Sequence, residues 1–277
     1  MTNHIAFQGA LGAYSEVACR VARPDMTPLP CHAFEDIIDA VRTGNADLAM
    51  VPVENSTYGR VADIHRLLPD SGLHIVDEAF TRVRISLMAL PGSRLKDIKK
   101  VHAHMVLLPQ ARKFLETHGI EAISAADSAG AASELATAKD LTCGVLASEL
   151  AAETYGLDVL ARDIEDHGHN TTRFLIMSKK PDIAKRGTGK MITTFVFQVR
   201  NIPAALFKAM GGFATNGVNM LKLESYMLGG SFTATQFYAD VEGHPDDANV
   251  KRALEELDYF STKIKILGVY PAHPHRR

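Results

Sequence analysis

Apolar residues along this chain fall into short bursts separated by polar turns. Residues 4–8 form an apolar run that ends on Gly9-Ala10-Leu11-Gly12, and a helix pattern follows over 15–22. Phe34, Ile37, Ile38 and Val41 recur at helical spacing and predict a helix over 34–42. Residues 48–53 are apolar and partly β-branched, stopped by Pro52 and Asn55, and helical spacing resumes over 61–68. Strands are expected over 73–79 and 85–90. A strand over 101–104 leads to a helix over 110–118, then come a small-residue helix over 129–138, a strand over 144–147, a helix over 149–155 and a strand over 173–177. Strands alternating with helices predict a mostly parallel sheet covered on both faces.

The pattern breaks at 179–190, a charged stretch with Pro181, Gly187 and Gly189 that reads as a linker over 181–190. Beyond it the pattern predicts a strand (193–199), a helix (203–215, with Pro203 in its first turn), two strands (218–227 and 232–241), a helix (246–257) and a last strand (263–269). Leu228-Gly229-Gly230-Ser231 is a hairpin signal between the two middle strands. This β-α-β-β-α-β order is the ferredoxin-like split unit.

Length and composition narrow the picture. A chain of 277 residues suits two domains, and 46% apolar with 22% charged residues is ordinary for a globular protein. The net charge of −2 argues against a sequence-independent nucleic-acid binder. No apolar segment approaches a membrane span and no leader pattern opens the chain, so a cytoplasmic protein without membrane contact is expected. Cys19, Cys31 and Cys143 are widely spaced and odd in number, which suits buried free thiols better than a disulfide framework.

Ligands of open α/β sheets gather beyond the carboxyl ends of strands, so the loops there hold the candidate chemistry. The first such loop includes Gly12, Ala13, Tyr14 and Ser15. It reads either as an anion site at a helix start or as a plain turn capped by Ser15. The second carries Glu54, Asn55, Ser56 and Thr57, which can bind an anion or hydroxyl, or can cap the following helix. The third carries His167, His169, Asn170, Thr171, Thr172, Arg173 and Phe174. Arg173 can grip a carboxylate with two parallel hydrogen bonds. The two histidines lack a third ligand at suitable spacing, so no metal is expected, and no nucleotide-binding motif is present, so no cofactor is expected either.

Val51-Pro52-Val53-Glu54-Asn55-Ser56, Asn170-Thr171-Thr172-Arg173-Phe174 and the loop from Gly9 to Ser15 together resemble the VPVENS, N-x-T-R-F and opening glycine-loop motifs of the prephenate dehydratase family, in the same order. Leu146-Ala147-Ser148 and the stretch 151–157 are similar to the region before the last motif. The resemblance implies a two-lobed, periplasmic-binding-protein-like catalytic domain over 1–180, with its second lobe at about 80–163, and a C-terminal ACT domain over 191–277. It implies conversion of prephenate to phenylpyruvate by loss of carbon dioxide and water. Aromatisation drives that reaction, so no electron-sink cofactor is needed. On this reading Thr172, Arg173, Asn55 and Ser56 are catalytic, and Gly12, Ala13, Tyr14, Ser15, Glu54, Thr57, Asn170 and Phe174 bind substrate. Glu54 is either a proton source behind Thr172 or a structural partner of an arginine or backbone group. Arogenate, which carries an amino group in place of the keto group, is the alternative substrate, and a non-catalytic sensor on the same scaffold is the alternative function.

The family's ACT domain binds L-phenylalanine at a dimer interface, which implies a homodimer or homotetramer here. The effector contacts would involve Ala204, Ala205, Leu206, Asn219, Glu224 and Ser225. Two departures bear on this: Ala204 stands where the family usually has Gly, and Glu224-Ser225-Tyr226-Met227 stands for E-S-R-P. Ala13 in place of a common Thr, and Met105-Val106-Leu107 in a segment that keeps His104, Leu108 and Gln110, bear on substrate preference.

Overall fold

The computed structural model describes residues 2–227 and 234–276, so the hairpin expected at Leu228–Ser231 lies outside the described residues. In chain order the elements are β1 (His4–Gln8), α1 (Tyr14–Ala22), β2 (Thr27–Cys31), α2 (Phe34–Thr43), β3 (Leu48–Asn55), β4 (Gly59–Arg60), α3 (Ala62–Leu67), β5 (His74–Arg82), β6 (Ser86–Ala89), β7 (Lys100–His104) and α4 (Arg112–His118). They continue with β8 (Glu121–Ala125), α5 (Ser128–Thr137), β9 (Cys143–Ala147), α6 (Glu149–Tyr155), β10 (Asp158–Ala161), β11 (Thr171–Ser178), β12 (Met191–Val199), α7 (Ala205–Thr215), β13 (Met220–Met227), β14 (Ala234–Glu242), α8 (Ala248–Phe260) and β15 (Ser261–Pro271). The chain divides into one compact unit of Met1–Val61 with Ala79–Phe174 and another of Ala62–Glu78 with Leu175–Arg277. Part of the 1–180 segment, α3 and most of β5 included, thus belongs to the second unit.

The first unit has two lobes. In one, β1 lies parallel to both β2 and β3, within the strand order β11-β3-β1-β2. Phe7, Ile37, Met50 and Val51 are buried around this sheet. In the other, the strand order is β10-β6-β9-β7-β8, parallel where β7 meets β8 and β9, and antiparallel on either side of β6. Ile85, Leu87, Val101, Ala103 and Leu146 form its core. The sequence pattern missed β2, β8 and β10, and all three are outer strands of these arrangements. An outer strand buries little, so it needs no apolar alternation, and β2 even carries Pro28 and Pro30.

In the second unit the order β13-β14-β12-β15 is that of the ferredoxin-like fold, with β5 alongside β15 at Gly268 and Ile75. Helices α7 and α8 supply Ala209, Phe213, Val250 and Leu257 to a core shared with Phe195, Phe197 and Phe237. Phe195 and Phe213 stack with centroids 5.8 Å apart. Residues 181–190 form no regular element, but Ala184 donates its N–H to the Val269 carbonyl at 3.0 Å, which ties the stretch down.

One helix start differs from the expectation. Pro203 precedes α7 instead of occupying its first turn, because Ala204 is left-handed at φ 60° and interrupts the helical run between them. Only the absence of a Cβ makes that region comfortable, and alanine there is strained by about 1 kcal/mol.

Candidate active site

Between the lobes of the first unit lies a cavity of about 890 Å³. Of the predicted site residues, Gly12, Ala13, Tyr14, Ser15, Asn55, Asn170, Thr172 and Phe174 line it. Glu54, Ser56, Thr57 and Arg173 do not, and each has another place.

Asn55 ends β3 and is held at both ends of its amide. Its Oδ1 accepts the backbone N–H groups of Thr57 at 2.9 Å and Tyr58 at 3.0 Å. Only the oxygen can accept, so the amide orientation is settled and the NH₂ group faces the cavity. That nitrogen donates to Asn170 Oδ1 at 2.6 Å and to Thr172 Oγ1 at 3.0 Å. Asn170, buried at 2% exposure, then donates to Gln110 Oε1, and Gln110 Nε2 donates to the Val106 carbonyl at 2.7 Å. The chain of amides runs one way, from the Thr57 and Tyr58 N–H groups in one lobe to Val106 in the other. Thr172 is the branch: its oxygen accepts from Asn55, and its own O–H proton meets no acceptor among the described residues.

Arg173 follows Thr172 on β11 and points elsewhere. It is 2% exposed, and its guanidinium meets Glu54 Oε1 at 2.8 Å. Alternation along a strand sends Thr172 and Arg173 to opposite faces, and likewise Glu54 and Asn55. The arginine read from the sequence as a carboxylate grip is therefore paired with Glu54 away from the cavity wall, and Glu54 takes the structural partnership that the sequence left open. Ser56 joins the two loops: its N–H reaches the Thr171 carbonyl at 2.9 Å, its hydroxyl donates to the His169 carbonyl at 3.1 Å, and it accepts the Thr171 N–H at 2.9 Å. Thr57 contributes its N–H to Asn55.

Three helices point their N-terminal ends at the cavity. Ala13, Tyr14 and Ser15 open α1, Asp127, Ser128 and Ala129 open α5, and Ala147 and Ser148 lead into α6; all line the wall. First-turn amides have no intrahelical acceptor, and the summed peptide dipoles favour negative charge at such ends. The Asp127 carboxylate partly offsets this at α5, where it caps the Gly130 N–H at 2.6 Å. The Gly12 N–H is taken by Glu16 Oε2 at 2.6 Å. Tyr14 donates its hydroxyl to the Arg84 carbonyl at 2.7 Å, and burial, then the nearby Glu165 carboxylate, hold it in the phenol form well above the usual tyrosine range.

His104, Gln110, Ser128 and Ser148 also line the cavity, and the site prediction omitted them. His104 Nδ1 accepts the Val106 N–H at 3.3 Å, so in its neutral form the ring carries its proton on Nε2. The retained His104, at the end of β7, and Gln110 in the segment after it were the available sequence signal. Ser148 gave none beyond its place as a helix cap.

The prephenate dehydratase family model matches residues 5–182, well over half of the chain. The chain belongs to the prephenate dehydratase family. As a prephenate dehydratase family member it is an enzyme, a carbon–oxygen lyase of aromatic amino acid biosynthesis. It is 52% identical, over 99% of its own length and 97% of the relative's, to a protein of Komagataeibacter europaeus named bifunctional N-acyl-homoserine lactone acylase/prephenate dehydratase. It is 38% identical to arogenate dehydratase/prephenate dehydratase 1 of Arabidopsis thaliana, over 96% of this chain and 71% of that one. Among solved structures, prephenate dehydratase from Arthrobacter aurescens in complex with L-Phe superposes with a TM-score of 0.88 at 32% identity, over 97% of this chain and 90% of that one. A structure described as GqqA, a quorum quenching acylase, superposes with a TM-score of 0.93 at 52% identity, over 99% and 100% of the two chains. The fold class expected from the sequence, mixed α/β with a two-lobed first part, is the one observed.

The residues expected to contact an effector lie in the second unit. Ala204 caps α7, Ala205 and Leu206 open it, Asn219 donates to Glu242 at 3.1 Å, and Glu224 and Ser225 are on β13, where Glu224 pairs with Lys222 at 3.3 Å. Strand β14 separates β13, which carries Glu224 and Ser225, from β12, the strand that leads to Ala204.

Proposed function

We propose that the cavity converts prephenate to phenylpyruvate. The observation that supports this most is the Asn55–Thr172 bond. It occupies a lone pair of Thr172 Oγ1 and leaves the O–H directed at a ligand, as departure of a ring hydroxyl requires. A threonine hydroxyl is too weak an acid to give up its proton outright, so Thr172 acts by donating a hydrogen bond as the C–O bond lengthens. The ring carboxylate leaves as carbon dioxide, its electron pair enters the ring, and the hydroxyl departs with the C–O electron pair as hydroxide, hydrogen-bonded by Thr172, and takes a proton from solvent to become water. The two carboxylates of the substrate meet the helix N-termini and the His104 Nε2–H, a dispersed set of donors that needs no buried guanidinium. Preorganised donors of this kind provide most of the acceleration in a water-excluding site. In this reading 1–180 is the catalytic segment and 191–277 a regulatory ACT domain in which phenylalanine bridges Ala204–Leu206 of one copy and Glu224–Ser225 of another, within a homodimer or homotetramer of a cytoplasmic enzyme.

Purified protein mixed with prephenate, followed by phenylpyruvate absorbance in base, tests the reading. No turnover with substrate binding intact leaves the sensor alternative. Arogenate in the same assay decides between the two substrates, which differ by one positive charge.

A second reading rests on the 52% identical relative with the acylase name. The cavity is roomier than a single ring with two short acidic arms requires, and Leu11, Val61, Val83, Val106 and Leu107 give it apolar wall on which an acyl chain can lie. Release of homoserine lactone and free fatty acid from an N-acyl-homoserine lactone tests it.

A further inference from the structure

The glycine loop that walls the cavity is held from the opposite lobe. Ser148 donates its hydroxyl to the Gly12 carbonyl at 2.5 Å, and Tyr155 donates its hydroxyl to the Leu11 carbonyl at 2.9 Å. Both donors belong to α6: Ser148 is its cap and Tyr155 its last residue. The approach is so close that a Cβ on Gly12, which has φ +85°, would stand 2.6 Å from Ala151 Cα in the middle of that helix. From below, the buried Glu16 carboxylate fixes the loop through the Gly12 N–H at 2.6 Å and is itself held by Arg20 at 2.7 Å. Leu11 and Gly12 belong to the lobe built on β1, and α6 lies between β9 and β10 of the other lobe.

We propose that Tyr155 and Ser148 form a latch that keeps the cleft closed over substrate, and that Tyr155 is a positioning residue for the reaction assigned above. The latch lies apart from the amide chain through Asn55, Asn170 and Gln110, so the two connections brace the lobes at separate places. Separation of the lobes breaks both latch bonds and carries Tyr14 and Ser15, which open α1, away from the openings of α5 and α6. The cavity walls proposed above to receive the substrate carboxylates then no longer face one another. The latch therefore sets how much of the protein is competent to bind, while the bond to the departing hydroxyl is left to Thr172.

That division of labour separates the latch from a plain structural contact. Removing one neutral hydrogen bond shifts the closed fraction by about 0.5–1.5 kcal/mol, and apparent affinity falls by the fraction that opens. In Y155F the KM for prephenate should rise by about 2- to 10-fold, with kcat unchanged or raised because product leaves an opening cleft more readily. The latch also has a readout that needs no turnover: in Y155F without substrate, the amides of 10–15 should exchange with deuterium several-fold faster than in wild type, while those of β1 and β9 keep their protection. S148A should repeat the faster exchange at 10–15, with an added loss of thermal stability from the missing α6 cap. An unchanged KM together with unchanged exchange at 10–15 overturns the latch. So does a fall in kcat accompanied by faster exchange throughout the unit, which marks a general loss of packing. If wild type fails to turn over prephenate, the functional reading fails, and the exchange experiment still decides whether the latch exists.

Discussion

Asn55 Nδ2 stands 3.0 Å from Thr172 Oγ1, across 117 residues of sequence. The amide cannot flip without losing the Thr57 and Tyr58 N–H bonds, so it stays a donor to the Thr172 oxygen and leaves the proton of that hydroxyl to donate elsewhere. T172A should lower kcat by about 10²-fold or more, as loss of a positioned proton-donating group does, with little change in thermal midpoint. T172S, which keeps the hydroxyl, should retain most of the activity. Full turnover by T172A would remove Thr172 from the chemistry.

Asn170 serves the same constellation from inside. It accepts from Asn55 and donates to Gln110 while almost fully buried. N170A removes one of the two acceptors of the Asn55 NH₂ group and the donor to Gln110 Oε1, at a cost of about 1–3 kcal/mol. Urea unfolding should register that loss, and activity should fall with it because Asn55 is no longer braced. A variant as stable as wild type would mean that water replaces the lost amide.

The buried Arg173–Glu54 pair makes a prediction that separates structure from binding. Removing one member of a buried pair costs about 3–5 kcal/mol, because the other charge stays behind. Glu54 is 30% exposed, which relieves part of this, so R173M should be destabilised by about 2–3 kcal/mol in denaturant unfolding. If Arg173 gripped substrate instead, R173M would show normal stability and a raised KM.

Ala204 at φ 60° is strained where glycine is not. A204G should stabilise the protein slightly, by up to about 0.5 kcal/mol, since relief of about 1 kcal/mol of left-handed strain is largely offset by the added freedom of the unfolded chain. A raised urea midpoint with an unchanged slope is the expected result. A lowered midpoint would mean that the alanine methyl has contacts worth more than the strain.

Asp247 caps the His244 N–H at 2.9 Å and meets Arg186 at 2.8 Å, and these two partners, His244 first, hold its carboxyl below the usual aspartate range. A carboxyl held low stabilises the fold above its ordinary pKa of about 4 and loses that contribution as pH falls through the folded value. Thermal midpoints below about pH 4 should therefore fall less steeply for D247N than for wild type. Parallel acid limbs would show that Asp247 does not contribute to acid sensitivity.

Much of the architecture was legible because it depends on local pattern. Helical spacing over 34–42 and 149–155 and the apolar strand before Asn55 placed α2, α6 and β3 within a residue or two. The outer strands β2, β8 and β10 were not legible, since burial on one face at most leaves little mark on composition. Asn55, Asn170 and Thr172 were legible as residue types grouped after strands. The pairing of Arg173 was not, because an arginine beside a threonine on a strand reads alike whether its charge ends in a cavity or against Glu54.

Left to itself, the sequence determined the mixed α/β class, most helices and inner strands, and which loops follow strands. Those properties follow from side-chain spacing and turn chemistry, which act over a few residues. Tertiary structure alone decided that Asn55 meets Thr172, that Arg173 turns to Glu54, and that Gly12 lies against Ala151. Such meetings depend on strand alternation and on lobe placement, which bring together residues more than a hundred positions apart, and no local signal encodes them.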